Sequence, residues 1–238
     1  MKIDVVNYEK NKYEAEIAES TVIIIDVLRC TSAIINAFVS GCEKALPFIE
    51  PQEAIDYANA VGRSSCVIGG ERGCNIVPGF DVGNSPFEYG PERVSGKTVV
   101  FSTSNGSNAI CGVAGGKHVF LGALSNRTEA AKKAYSTGED LLIVCSGTNG
   151  RISADDCCAA GSIIEALSEL DPNCELSDFA MICLDLTRSW KSGSFDLKKT
   201  YHCNRLINLG YGKDVEYCLA EDSTTLVPQY KDGVITLS

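Results

Sequence analysis

Residues Thr21–Ala37, TVIIIDVLRCTSAIINA, join an apolar run to a helical pattern through a short polar turn. Val22–Ile25 are all β-branched, which suits a buried strand, and the run ends abruptly in Asp26. Arg29, Thr31 and Ser32 follow, and a helix N-terminus opens at the turn. The same plan recurs in VVFSTSNGS (99–107) and LIVCSGTNG (142–150). Strands alternating with helices specify an α/β fold: a layered, largely parallel or mixed sheet with helices on its faces. Repetition of the unit leaves an internal duplication open. Ligands of such sheets bind beyond the carboxyl ends of the strands. The three turns, with the Gly/Pro/Asn-rich stretch from Gly69 to Glu88, are therefore the expected site.

The 238 residues make one unit, 1–238, either one domain or two intertwined subdomains. No run of 18 apolar residues is present, so no membrane span is expected. The first residues are charged and lack a signal-peptide core, which points to the cytoplasm. A net charge of −10 argues against nucleic-acid binding by phosphate neutralisation, while a local basic cluster can still hold a small anion. A homodimer is left open. The 12 cysteines include no CxxC, and His118 and His202 are the only histidines, so a zinc site is not expected. Without a secretion signal the cysteines read as small buried apolar residues in a reducing compartment.

Further strands are expected at 2–7, 44–49, 66–68, 97–101, 118–122 and 141–144. Helices are expected at 31–40, 51–62, after Asn105 into Gly112, at 128–136, 154–170, 176–188 and 196–209. Residues 8–19 are ambiguous, 214–219 are unclear, and the end reads as a hairpin around Asp232-Gly233.

Several phosphate motifs fail. The nearest P-loop match, Gly90 to Thr98, has five residues between its glycines and leads into a strand. Leu28 stands where an aspartate-nucleophile phosphatase has its second aspartate, and no GxSxG elbow is present. The cysteine-phosphatase pattern C-x5-R matches at Cys66–Arg72, inside an apparent strand, and at Cys145–Arg151, between a strand and a helix. In the second, a thiolate at Cys145 could attack a phosphate held by Arg151 and loop amides.

Other polar groups have both an ordinary and a chemical reading. Asp26 and Arg29 form either a helix-capping salt bridge or a site for a cation and an anion. GGERG (69–73) is either a turn with a solvated pair, or Glu71 toward a metal and Arg72 toward an anion. DVGNS (81–85) and STSNGS (102–107) are a turn and a cap, or donors to an oxyanion. Asp155 and Asp156 suit a helix first turn. Convergence on one sheet edge favours the chemical reading of all five. A non-catalytic anion-binding protein remains the contrasting reading, though anion binders have no use for clustered acids without a cation.

The ordered set IDVLRCTS (25–32), GGERG (69–73), GFDVGNSP (79–86), STSNGS (102–107), CSGTNGRISADD (145–156) with AAG after it, and DVEYCLAEDSTTLVP (214–228) resembles the 2-phosphosulfolactate phosphatase (ComB-like) family. The resemblance spans nearly the whole chain. It implies an α/β fold and a Mg²⁺-dependent acid phosphatase. The implied reaction takes (2R)-2-phospho-3-sulfolactate to 3-sulfolactate and phosphate, a step toward coenzyme M. Cys30 departs from the family's usual alanine, Ser102 and Ser107 from threonines, and Asp155 from glutamate. The implied catalytic set is Asp26, Arg29, Glu71 and Asp156. Substrate donors are Thr31, Ser32, Arg72, Asn84, Ser85, Thr103, Asn105, Gly106 and Ser107, with Arg127 and Arg188 as further candidates for the acid groups. Asp26, Glu71, Asp81 and Asp156 are the candidate Mg²⁺ ligands, since this ion prefers carboxylate oxygens and retained water. Asp26 either holds the metal or attacks phosphorus.

Overall fold

All of Thr21–Ile25 is buried, which requires a central strand covered on both faces. Burying each aliphatic side chain stabilises by about 1.5–3 kcal/mol. The computed structural model describes residues 1–237. In chain order it has β1 (Lys2–Asn7), α1 (Glu14–Glu19), β2 (Thr21–Ile25), α2 (Cys30–Val39), β3 (Lys44–Pro47), α3 (Pro51–Val61), β4 (Cys66–Arg72) and β5 (Asn75–Ile76). There follow α4 (Pro91–Val94), β6 (Thr98–Ser102), α5 (Gly106–Gly112), β7 (His118–Gly122), α6 (Arg127–Ser136), β8 (Leu141–Cys145) and α7 (Ala154–Leu170). The chain ends with β9 (Glu175–Leu176), α8 (Asp178–Lys191), α9 (Tyr201–Asn208), α10 (Gly212–Cys218), β10 (Gln229–Lys231) and β11 (Val234–Thr236).

The strands make one 11-stranded sheet, ordered β5-β4-β6-β3-β11-β10-β7-β2-β8-β1-β9. It contains two parallel blocks, β4-β6-β3 and β7-β2-β8-β1-β9. The antiparallel hairpin β10–β11 joins them, with β11 on β3 and β10 on β7. Asp232 (φ 51°) and Gly233 (φ 82°) give it the left-handed backbone that a two-residue hairpin turn needs. The α/β class with a mostly parallel sheet is thus as the sequence specified. Helix α7 packs against both α6 and α8. A smaller apolar cluster lies where α3 covers β4 and β6, through Ala54, Ala58, Ile68 and Val100.

Flat, the sheet would separate β2 from β6 by five spacings of about 4.8 Å, or about 24 Å. Instead it curls until the two blocks' carboxyl ends meet. Gly106, just beyond β6, comes so near Asp26, just beyond β2, that an added Cβ would lie 2.7 Å from Asp26 Oδ2. Only glycine permits that approach.

Some elements differ from the sequence reading. Residues 66–73 hold a seven-residue strand running through GGER rather than a short strand and a turn. The glycines there serve close packing: a Cβ on Gly69 would overlap Tyr89 Oη at 2.1 Å, and one on Gly70 would overlap Ser102 O at 2.0 Å. The ambiguous 8–19 region contains α1, and the unclear 214–219 segment falls in α10. The expected helix at 196–209 is split by extended Thr200 (φ −66°, ψ 159°) into a short turn and α9.

Candidate active site

The narrow cleft between the two blocks is built by the turns after β2, β4, β6 and β8, together with α9. Asp26, Arg29, Glu71, Ser104, Asn105, Asn149, His202 and Arg205 all face it. Its volume is about 30 Å³, room for an ion or a water. It shares Asn105 and Asn149 with one wider hollow of about 510 Å³, and Asn149 and His202 with another of about 540 Å³.

Asp26 leaves β2 at the mouth of α2, where its Oδ1 accepts from Cys30 N–H at 3.2 Å. The carboxylate therefore lies at the positive end of a helix. Burial, opposed by that N–H and by His202, pushes its pKa up to about 6, with Glu71 and Asp155 adding to the rise. Glu71 accepts from Ser104 N–H at 2.8 Å on one oxygen, and on the other from Cys74 N–H at 2.7 Å and the Ser104 hydroxyl at 3.2 Å. The Asp26 carboxylate is thus held by one N–H, and that of Glu71 by two N–H groups and a hydroxyl. The two carboxylates are the hard oxygen groups the cleft offers to a cation.

Asp156 is set behind the cleft. It accepts from Val27 N–H and Gly147 N–H, both at 2.9 Å, and so ties the turn after β2 to the turn after β8. Burial, with Asp155 and Asp26 nearby, pushes its pKa well up. Asp81 lies apart from the other acids, between Arg63 (2.6 Å) and Ile68 N–H (2.8 Å). Of the four candidate metal carboxylates, the structure brings Asp26 and Glu71 onto the cleft.

Arg29 faces the cleft with its charge already supported. Nη1 is 2.6 Å from Asp214 Oδ2, and the guanidinium carbon lies 4.0 Å from the Tyr211 ring centroid. Asp214 also accepts from Ser85 Oγ at 3.0 Å, so Ser85 acts behind Arg29 while Asn84 lines the cleft. Arg72 does not face it. Neighbours in a strand point to opposite faces, so with Glu71 turned inward Arg72 turns away, to Ile49 O and Ser102 Oγ.

Several expected hydroxyl donors are engaged within the backbone. Thr31 Oγ1 donates to Asp26 O and Ser32 Oγ to Val27 O. Thr103 and Ser107 each accept the other's backbone N–H. Asn105 lines the cleft and accepts Asn149 N–H at 3.1 Å, bridging the two blocks. Arg127 belongs to an ion-pair cluster with Glu165, Glu221 and Asp222, and exposed Arg188 pairs with Asp185; neither lines the cleft.

The cysteine alternative does not match the geometry. Cys145 is the last residue of β8, is 1% exposed and belongs to the apolar core. Its hydrogen bond with Cys157 and its burial push the thiol well above its usual range, away from the thiolate a nucleophile needs. Arg151 lies out on the surface of the following loop.

Residues 7–233 match the family model described as 2-phosphosulpholactate phosphatase. The chain belongs to this family. It is 37% identical over 226 residues to a protein named probable 2-phosphosulfolactate phosphatase from Caldanaerobacter subterraneus subsp. tengcongensis, covering 94% of this chain and 93% of that one. It is 35% identical to a protein of the same name from Clostridium beijerinckii, covering 99% of both. A Clostridium tetani protein, again of that name, is 37% identical over 99% of this chain and all of the relative. The motifs that carry the family resemblance each place a side chain on the cleft or just behind it: Asp26 and Arg29, Glu71, Asn84, Asn105, Asn149, and late in the chain Asp214.

The titratable cleft residues His202 and Arg205 belong to no motif in the sequence, where His202 bears only on the absence of a zinc site. Their three-residue separation on one helix, which puts both on one face, was the available signal.

Proposed function

We propose that this protein is a Mg²⁺-dependent phosphatase that hydrolyses a small phosphomonoester, (2R)-2-phospho-3-sulfolactate, to 3-sulfolactate and phosphate. The observation carrying this reading is the pair of buried carboxylates, Asp26 and Glu71, held by neutral donors on a cleft that Arg29 and Arg205 also face. Relatives' names supply the identity of the substrate. The donor set fits Mg²⁺. Among the described residues no three acidic, histidine or cysteine side chains stand close enough to enclose an ion. Mg²⁺ does not need such a cage, because it keeps waters and is commonly held by one or two carboxylates plus substrate phosphate. Bound by Asp26 and Glu71, it would neutralise phosphoryl oxygens and make a water more acidic.

The chain's own groups do the rest. Arg29, anchored by Asp214 and Tyr211, has guanidinium donors left for the phosphoryl oxygens. Arg205 adds a second positive charge at the same cleft. Asp156 fixes the spacing of the turns after β2 and β8, on which Asp26 and Asn149 depend. The wider hollows have room for the organic part of the ester.

The test is phosphate release from 2-phospho-3-sulfolactate and a panel of other phosphomonoesters. EDTA should abolish release and Mg²⁺ restore it, while Cys145→Ser keeps most of the activity. Turnover that survives chelation but is lost in Cys145→Ser would reverse the assignment.

A further inference from the structure

The phosphatase reading leaves one buried titratable pair unused, at the seam between the inner cleft and the 540 Å³ hollow. His202 stands in the first turn of α9 with its side chain 11% exposed. Its Nδ1 lies 3.1 Å from Asp155 Oδ2 and 3.2 Å from Thr148 Oγ1. Asp155 is itself 1% exposed, and its other oxygen accepts from Ser153 Oγ. A carboxylate facing Nδ1 holds a proton on that nitrogen. Nε2, which has no hydrogen-bond partner among the described residues, is left for chemistry. The ring faces Asp26 and Arg205 in the inner cleft, and Ile152 and Tyr201 in the outer hollow.

We propose that His202 is the general acid of the reaction, protonating the ester oxygen as it leaves phosphorus, with Asp155 as the residue that positions it. This rests on the phosphatase reading. The phosphoryl group belongs to the side with the arginines and carboxylates, and the organic group to the hollow. The oxygen joining them then falls at the seam, where His202 is. In the step, the bond from phosphorus to the ester oxygen breaks and its electron pair stays on that oxygen, which takes the Nε2 proton. A water forms the new bond to phosphorus and gives up one proton, which restores His202. The products are a neutral hydroxyl on the organic part and inorganic phosphate. The Asp155 carboxylate against Nδ1 favours the protonated ring that such a step needs.

Leaving-group dependence tests this. An alkyl ester releases a poor leaving oxygen that needs a proton, whereas p-nitrophenyl phosphate releases a stabilised phenolate that does not. With Mg²⁺ supplied, kcat is measured on both esters for wild type, His202→Gln and Asp155→Asn, with circular dichroism on each protein. His202→Gln should lose about 10²–10³-fold on the alkyl ester and less than about tenfold on p-nitrophenyl phosphate. Asp155→Asn should show the same asymmetry at smaller size, and it decides the matter if His202→Gln does not fold. Equal losses on both esters, or no loss on either, would overturn the role of His202 alone. A wild type that hydrolyses neither ester would overturn the phosphatase reading and this role with it.

Discussion

Two clusters of acidic residues in this protein are built on opposite electrostatic plans. Near α6 and α7, Glu165, Glu221 and Asp222 meet the permanent cations Arg127 and Lys191, with Arg127 Nε 3.0 Å from Asp222 and Lys191 Nζ 2.6 Å from Glu165. At the cleft, Asp26 and Glu71 accept from backbone N–H groups and one hydroxyl. The cleft's basic side chains are partly committed, Arg29 to Asp214 and His202 to Asp155. One residue of each shows the difference: Asp26 is pushed up and Asp222 is drawn down. Carboxylates matched by fixed cations hold helices together. Carboxylates fixed in place without them keep a desolvation cost that a cation from outside can relieve.

The sharpest way to break this comparison is Asp26→Asn. The amide keeps an oxygen for Cys30 N–H and removes the charge, so the metal-free fold should be as stable as wild type or more so. Activity should fall by about 10³-fold or more, on the order of losing a principal electrostatic group in a reaction centre. Thermal melts in EDTA, paired with kcat in Mg²⁺, check both halves. Turnover near wild type would sink the site assignment.

Asp214→Ala attacks the cleft from behind. It leaves the Arg29 guanidinium, 3% exposed, with its ring contact and no counter-charge. Breaking a buried pair from one side costs about 3–5 kcal/mol, which denaturant titration would detect. Activity should fall too, because the arginine loses the group that aims it. A stability change below about 1 kcal/mol would mean that Arg29 is hydrated and placed less firmly than the 2.6 Å contact implies.

How much of this was readable beforehand follows from periodicity. β2, β8 and α7 carry long, unmixed patterns, and their positions were legible, as were the turns that hold Asp26 and Asn149. β4 was not, because Gly69 and Gly70 carry the ordinary signature of a turn while serving close contacts with Tyr89 and Ser102. A turn there would put Arg72 toward the anion beside Glu71, since adjacent residues can share a site on a turn but not on a strand. His202 and Arg205 were hidden for a different reason. They arrive from α9, remote in sequence from every strand-end turn, and only the folded chain places them opposite Asp26. The curl that joins the blocks left a local trace only in Gly106.

On the other side of the comparison, Arg127→Ala should cost about 1–2 kcal/mol, above the usual range for an exposed ion pair because the group is half-buried and serves three acids. Activity should change less than about twofold, since the cluster does not line the cleft. Denaturant titration and kcat, measured together, separate the two. A large loss of activity at unchanged stability would show that the clusters communicate.

The smallest effect is a matter of sign. Burial works against the charge of Asp222, but Thr128 N–H, the Thr128 hydroxyl and Arg127 outweigh it and lower its pKa below the ordinary aspartate value of 3.8. A carboxyl group whose folded pKa is depressed contributes stability above its unfolded pKa and loses that contribution as pH falls through the folded value. Wild type should therefore exceed Asp222→Asn in stability at pH 5–7, by no more than about 1 kcal/mol because the group is over a third exposed. The gap should close below about pH 4. Denaturant midpoints of the two proteins across that range decide it. A gap that widens on acidification would mean that Asp222 is held like Asp26, against its charge, and the contrast between the clusters would fail at this residue.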